Sequence, residues 1–256
     1  MNPSLVWNFT RQELVDRYAG SSLGFAWAFI QPLVLLFIFV VIFGGIMGAR
    51  LPGVEGGWAY SIYLVAGMLP WLAFSATLMR TSTVFVDKQG VLSKVGLSLP
   101  VLPLFIVIAE TVTFAIALGL FALLLVSIDH PWRLQVLALP LVFAVQQALA
   151  LGLGLLLATL NVFLRDVREF VAVLTQLWFW LTPIVWVPGI VDTGLYSRLY
   201  RLNPLLPLTE SYHAMFIGEA VLPLKALAGV AALALAALAL GWFTVRWLER
   251  EIRDTL

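Results

Sequence analysis

Along this chain, long uncharged apolar stretches alternate with short charged ones. Cut at its charges, the sequence leaves Leu23–Ala49 and Gly56–Met79, each long enough for a bilayer-crossing helix of ~20 residues. A third window, from about Pro103 to Ile128, carries one charge, Glu110. Leu134–Leu164, Phe170–Val191 and Ala226–Val245 follow. The pattern predicts an all-α membrane protein with six transmembrane helices. Before Leu23 the pattern is mixed: Trp7, Leu14 and Tyr18 share one side of a helical wheel, whereas Leu5 and Phe9 fall nearly opposite. We read residues 1–22 as an interfacial helix feeding the first span. The first apolar run is too long for the ~7–15-residue core of a cleavable signal peptide and reads as a retained span. Between Val187 and Lys225 the chain is apolar but broken by Pro188, Gly189, Pro204, Pro207 and Pro223. Its unbroken pieces are too short to span, and two short re-entrant helices within 188–225 are the favoured reading over a loop lying on the membrane surface. Asp192 or Thr193 would cap the first, and Pro207 would open the second.

Composition agrees with a membrane protein and narrows the chemistry. Of 256 residues, 62% are hydrophobic and 11% charged, with a mean hydropathy of +0.99. Soluble domains run near ~45–50% apolar and ~25% charged. A net charge of +1 gives no basic field for nucleic acid. Absence of cysteine excludes disulfides, thiolate metal sites and cysteine nucleophiles. Two histidines far apart, His130 and His213, offer no metal cluster. With both ends inside, ten of the 15 Lys and Arg fall on the inner side, a positive-inside bias that predicts cytoplasmic termini.

Chemistry is largely missing from the chain. There is no phosphate-binding loop of the G-x-x-x-x-G-K-[ST] kind, so ATP is not bound in that way, and no H-E-x-x-H or G-x-S-x-G pattern is present. An ion-coupled carrier or proton pump normally holds several ionisable groups in the bilayer. Here Glu110 stands by itself near the inner end of its span, read either as a substrate or proton contact or as a carboxylate bonded to a neighbouring helix or near water. If the chain moves something, its energy comes from another chain.

Aromatic residues raise a second question. Trp58, Trp132 and Trp186 lie near expected span ends, where an interfacial belt accounts for them. Trp178, Phe179 and Trp180 are consecutive and fan over about 200° of a helix. Together with Trp27 and Phe29, they either line a path for sugars, whose C–H faces stack on rings, or pack the core. Two inner loops look built for docking or are simply charged flanks. These are 80–99, with Asp87, Lys88, Gln89 and Lys94, and the charged Arg165-Asp-Val-Arg-Glu169 run.

From Arg17 to Leu33 the sequence reads RYAGSSLGFAWAFIQPL, and further motifs follow in order: Gly67-Met-Leu-Pro-Trp, Leu160-Asn-Val-Phe-Leu-Arg-Asp-Val, Phe179-Trp-Leu-Thr-Pro-Ile-Val and Asn203-Pro-Leu-Leu-Pro. This series resembles the permease subunits of bacterial type-2 ABC polysaccharide exporters. It is closest to the O-antigen exporters, with capsule and teichoic-acid exporters as cousins. The resemblance implies a homodimer bound to two copies of a separate ATPase that holds ATP and Mg, with no cofactor in this chain. It also implies a bacterial inner-membrane location and an undecaprenyl-pyrophosphate-linked polysaccharide as substrate. A membrane glycan enzyme and a drug exporter of the same fold are the competing classes.

The resemblance assigns roles by position. The N-terminal segment with Arg11 and Arg17 matches an interface helix beside the ATPase, and those two cations are candidates for the lipid pyrophosphate. Val86–Leu97 matches a coupling helix, with Asp87, Lys88, Gln89 and Lys94. Leu195–Arg201 and Pro207–Phe216 match two gate helices, giving Tyr196, Tyr200, Asn203, Pro204 and Tyr212 as gate residues. Trp27, Phe29, Trp178, Phe179 and Trp180 match the rings of the channel.

Overall fold

The computed structural model describes residues 3–46, 57–92, 98–188, 200–217 and 221–256, and among these no strand occurs. Helix α1 covers Pro3–Asp16. After a turn and a 3₁₀ segment, Gly24–Ala26, α2 runs over Trp27–Phe37 and continues as a wider π-type winding over Ile38–Ile46. Helix α3 is Ala59–Asp87 and is followed by the single turn α4, Gln89–Leu92. Next come α5 (Leu104–Ser127), α6 (Leu139–Phe163), α7 (Val167–Leu181) and α8 (Leu206–Phe216). The chain ends in α9 (Leu224–Trp247) and α10 (Glu249–Thr255).

Among the described residues, five stretches are long and apolar enough to cross a membrane: Gly24–Ile46, Ala59–Asp87, Leu99–Ser127, Leu134–Phe163 and Leu224–Trp247. They coincide with five of the six apolar windows. The window Phe170–Val191 behaves differently, because α7 has 15 residues and stops at Leu181. At ~1.5 Å per residue it reaches about 22 Å, short of a ~30 Å hydrocarbon core. Pro183 causes the stop. Its ring crowds the preceding residue out of helical geometry, and Thr182 is extended, with φ −103° and ψ 133°.

Helix α6 sits centrally, packed along α3 on one side and α9 on the other. Lipid offers no hydrophobic drive between helices, so close backbone approach must supply the packing. Glycine permits it here. A Cβ on Gly152 would lie 2.5 Å from the Leu238 amide nitrogen and 2.6 Å from the Ala237 carbonyl carbon. From the other helix, a Cβ on Gly241 would lie 2.8 Å from the Gly152 oxygen. Where Pro70 interrupts the α3 ladder, the Gln146 carboxamide on α6 donates to the Pro70 carbonyl at 2.9 Å.

The core has two parts stacked along the bundle. One includes Leu64, Phe74, Phe121, Leu149 and Tyr212. The other, built on Phe85, Leu99, Phe105, Leu155 and Ile252, takes both Phe9 of α1 and Leu256 against it. Both ends of the chain therefore lie at one end of the bundle, called the terminal end below. A helix before Leu23 is present as α1, and the second short helix expected between 188 and 225 coincides with α8. Of the first, Leu195–Arg201, residues 195–199 lie outside the described residues. So do residues 93–97 of the expected coupling segment.

Candidate functional site

Two clusters of polar groups stand out, one at each end of the bundle. At the end opposite the termini, α7 gives way to the unwound segment 182–188. Backbone without a helical ladder inside an apolar bundle must find other partners. Two tyrosines on α3 supply them. The Tyr60 hydroxyl donates to the Val185 carbonyl at 2.8 Å, and the Tyr63 hydroxyl lies 3.0 Å from the Pro183 oxygen and 2.9 Å from the Trp186 oxygen. Helix α8 returns over the same place. Its His213 ring stacks on Tyr63 with centroids 3.8 Å apart and holds a ring nitrogen 3.1 Å from the Tyr63 carbonyl. Gly67 of the Gly67-Met-Leu-Pro-Trp motif makes room, since a Cβ there would meet the His213 Nε2 at 2.9 Å.

Asn203, in the turn leading into α8, uses its whole side chain. Its Oδ1 accepts from the Trp178 indole at 2.7 Å and from the Leu205 amide at 3.0 Å. Its Nδ2 donates to the Thr182 hydroxyl at 2.8 Å and to the Leu181 carbonyl at 3.3 Å. The residue thus joins the end of α7 to the start of α8. Asn203→Ala strips partners from an indole and a buried amide at once, and is expected to cost about 2–4 kcal/mol. Thermal unfolding in detergent checks this, and Asn203→Asp, which keeps the acceptor, should lose less. Tyr200 is buried with its ring 5.7 Å from Trp186, Pro204 is half-buried, and the Tyr212 hydroxyl is buried without a partner. Tyr196 lies outside the described residues.

The three consecutive rings divide by direction. Trp178 points into the bundle, edge-on to Phe74 at 5.4 Å, and Phe179 rests on Trp71 at 5.5 Å. Trp180 turns outward and is 57% exposed. Of the five candidate channel rings, Trp27 and Phe29 on α2, 37% and 40% exposed, are the others on the surface, which also carries rings such as Phe37, Phe170 and Phe243. Trp178 donates to Asn203 instead of presenting a face outward.

At the terminal end, Glu110 on α5 is 3% exposed and receives two guanidinium groups. Arg17 Nη2 and Arg80 Nη1 each reach its Oε1 at 2.5 Å, and Arg17 Nη1 donates to the Thr113 hydroxyl at 3.2 Å. Arg80 also pairs with Glu13, whose other oxygen takes the Lys88 ammonium at 3.2 Å. The chain of charges ties α1 to the end of α3 and to α5, beside a cleft of about 240 Å³ lined by Glu13, Arg80, Asp87 and Lys88. Burial works against the Arg17 charge, but the field and hydrogen bond of Glu110 outweigh it and hold the guanidinium above its usual range. Of the two readings of Glu110 open in the sequence, the structure carries the bonded one. Glu13 and Arg80 are not among the candidates that the sequence offers, although the Glu13-x-x-x-Arg17 spacing places both side chains on one face of the segment. Arg11 and Gln89 are exposed, Asp87 accepts from the Thr83 hydroxyl at 2.6 Å, and Lys94 lies outside the described residues.

A family model described as ABC-2 type transporter matches residues 4–217, a span that includes both clusters. The chain belongs to the ABC-2 type transporter family. Among relatives of this ABC-2 chain, the O-antigen export system permease protein RfbA of Myxococcus xanthus is 31% identical over 230 residues, covering 88% of this chain and 86% of that protein. A Klebsiella pneumoniae protein of the same name is 26% identical over 209 residues, covering 81% and 78%. The polysialic acid transport protein KpsM of Escherichia coli is 24% identical over 217 residues, covering 83% and 79%.

Proposed function

We propose that this chain is the membrane-spanning subunit of an ATP-driven exporter. It moves polysaccharide carried on undecaprenyl pyrophosphate, an O-antigen, from the cytoplasm across the bacterial inner membrane. The observation that carries the reading is the 31% identity to an O-antigen export permease over 88% of the chain. Its spans support it, being nearly free of charge yet holding exposed rings on α2 and α7.

In this reading two copies of the chain enclose the path between them and bind two copies of a separate ATPase, which holds ATP and Mg. Both termini are cytoplasmic, so the terminal end faces the ATPase. Helix α7 and the unwound segment after it together make the remaining crossing, giving six. The end of α3, α4 and the residues following them, with Asp87, Lys88, Gln89 and Lys94, receive the push of ATP closure. The charge chain from Lys88 to Glu13, Arg80 and Glu110 passes it to α1 and α5, turning the spans as rigid bodies. Tyr196, Tyr200, Asn203, Pro204 and Tyr212 belong to the outer gate. Trp27, Phe29, Phe179 and Trp180 face or flank the sugar path, with Trp178 positioning the gate. Arg11 and Arg17 receive the pyrophosphate, Arg17 by exchanging Glu110 for phosphate oxygens.

Export of a capsular polysaccharide is the second reading, favoured by the likeness to the polysialic acid transport protein. Co-purification with the ATPase, with surface glycan assayed in a deletion strain, tests the common core of both. A stable complex and loss of surface glycan are expected. No complex, with normal glycan in the deletion strain, rules both readings out.

A further inference from the structure

Away from the span ends, where Asp87, Lys225 and Arg246 are exposed, bulky polar side chains are put away inside the protomer. Glu110 is paired, Gln146 is bonded to α3, and Gln147 and Asn161 are buried. Gln31 on α2 and Gln176 on α7 break this rule, since both are exposed and neither has a hydrogen-bond partner among the described residues. A carboxamide left facing hydrocarbon is costly, so each should meet water, a partner copy or a ligand. The two sites share a design. Gln31 follows Trp27 by four residues, and Gln176 precedes Trp180 by four, so each amide stands one helical turn from a solvent- or lipid-exposed tryptophan. Their depths agree as well. Counted from the terminal end, Gln31 lies seven residues into Gly24–Ile46 and Gln176 nine residues into α7, roughly 10 and 13 Å along the helices.

We infer that Gln31 and Gln176 form an uncharged hydrogen-bonding band in the sugar path, donating to and accepting from glycan hydroxyls while the neighbouring indoles stack on the sugar faces. This inference rests on the polysaccharide-export reading. The chemistry selects the occupant. A purely apolar passenger would leave both amides unpaired. A hydroxyl-rich chain uses both groups, with hydrogen bonds to the amide and a stacking face for the indole one turn away. Carboxamides hold no fixed charge, so each sugar binds weakly enough to be released as the chain slides.

Because the sequence contains no cysteine, a substituted one is the protein's sole thiol. Gln31→Cys, Gln176→Cys and Leu235→Cys, the last on the outer face of α9, would be assembled with the ATPase in inverted vesicles. Each would be treated during ATP turnover with a charged, water-soluble methanethiosulfonate, with and without undecaprenyl-pyrophosphate-linked glycan. Gln31→Cys and Gln176→Cys should react about ten-fold faster than Leu235→Cys, and the glycan should slow both several-fold, because a wet path and not lipid surrounds them. Reaction as slow as at Leu235→Cys places both amides in lipid or in a dry contact between copies and overturns the inference, as does fast reaction that the glycan leaves unchanged. As a second measurement, the Gln31→Leu/Gln176→Leu double variant should still assemble and hydrolyse ATP while exporting about ten-fold less. Undiminished export would count against the band alone. Failure of the unsubstituted complex to export glycan would instead remove the functional reading beneath it.

Discussion

Replacing Glu110 with alanine is expected to destabilise the chain by about 3–5 kcal/mol, the usual cost of removing one partner from a buried ion pair. The effect should be this large because two guanidinium groups lose a shared acceptor together. Arg17 and Arg80 both reach the same carboxylate oxygen, and without it they are left close to one another, Arg17 with the Thr113 hydroxyl and Arg80 with Glu13. Glu110→Gln keeps the shape and an acceptor but not the charge, and should fall between alanine and the native residue. Arg17→Ala/Glu110→Ala should lose less than the two single changes added, since the second change removes a charge the first has stranded. Thermal unfolding of the purified chain in detergent measures all four. An alanine variant that melts with the native protein would show that the charge chain does not hold α1, α3 and α5 together. In the assembled exporter the same alanine variant should keep hydrolysing ATP while transport falls.

Gly152→Leu should abolish the folded protein. The obstruction is backbone on α9, at 2.5 and 2.6 Å from where the first added carbon would sit, so rotation of a side chain cannot relieve it. Gly152→Ala isolates that first carbon and is expected to cost about 1–3 kcal/mol as α6 and α9 are forced apart. Gly229→Ala is the matched control, because an added Cβ there meets open space on α9. Yield and melting temperature by size-exclusion chromatography after heating would read the series. Normal yield of the leucine variant would mean that α6 and α9 do not cross at this distance.

The spans could be read from sequence because a bilayer imposes a single demand, about twenty uncharged residues, which local composition meets or fails. The early end of α7 was harder to see. Pro183 pushes Thr182 out of the helix, but the apolar composition continues unbroken past that point. The partners of Glu110 were out of reach for a different reason. Arg17 and Arg80 lie 93 and 30 positions away, and no periodicity links residues that meet only after the helices pack. The same limit applied to the three rings. Helical spacing says that Trp178 and Trp180 point apart, but only the position of α3 decides that Trp178 is the one turned inward. Gln31 and Gln176 passed unnoticed because an exposed amide becomes conspicuous only once the other polar side chains of the spans are seen to be buried.

The most direct test of the central claim is transport itself. The chain and its ATPase would be reconstituted with the nucleotide sites outward, and undecaprenyl-pyrophosphate-linked polysaccharide supplied in the outer leaflet. With ATP, the glycan should move into the lumen and become protected from an added glycosidase, and a non-hydrolysable nucleotide should leave it exposed. A complex that hydrolyses ATP while the glycan stays fully digestible would contradict the account.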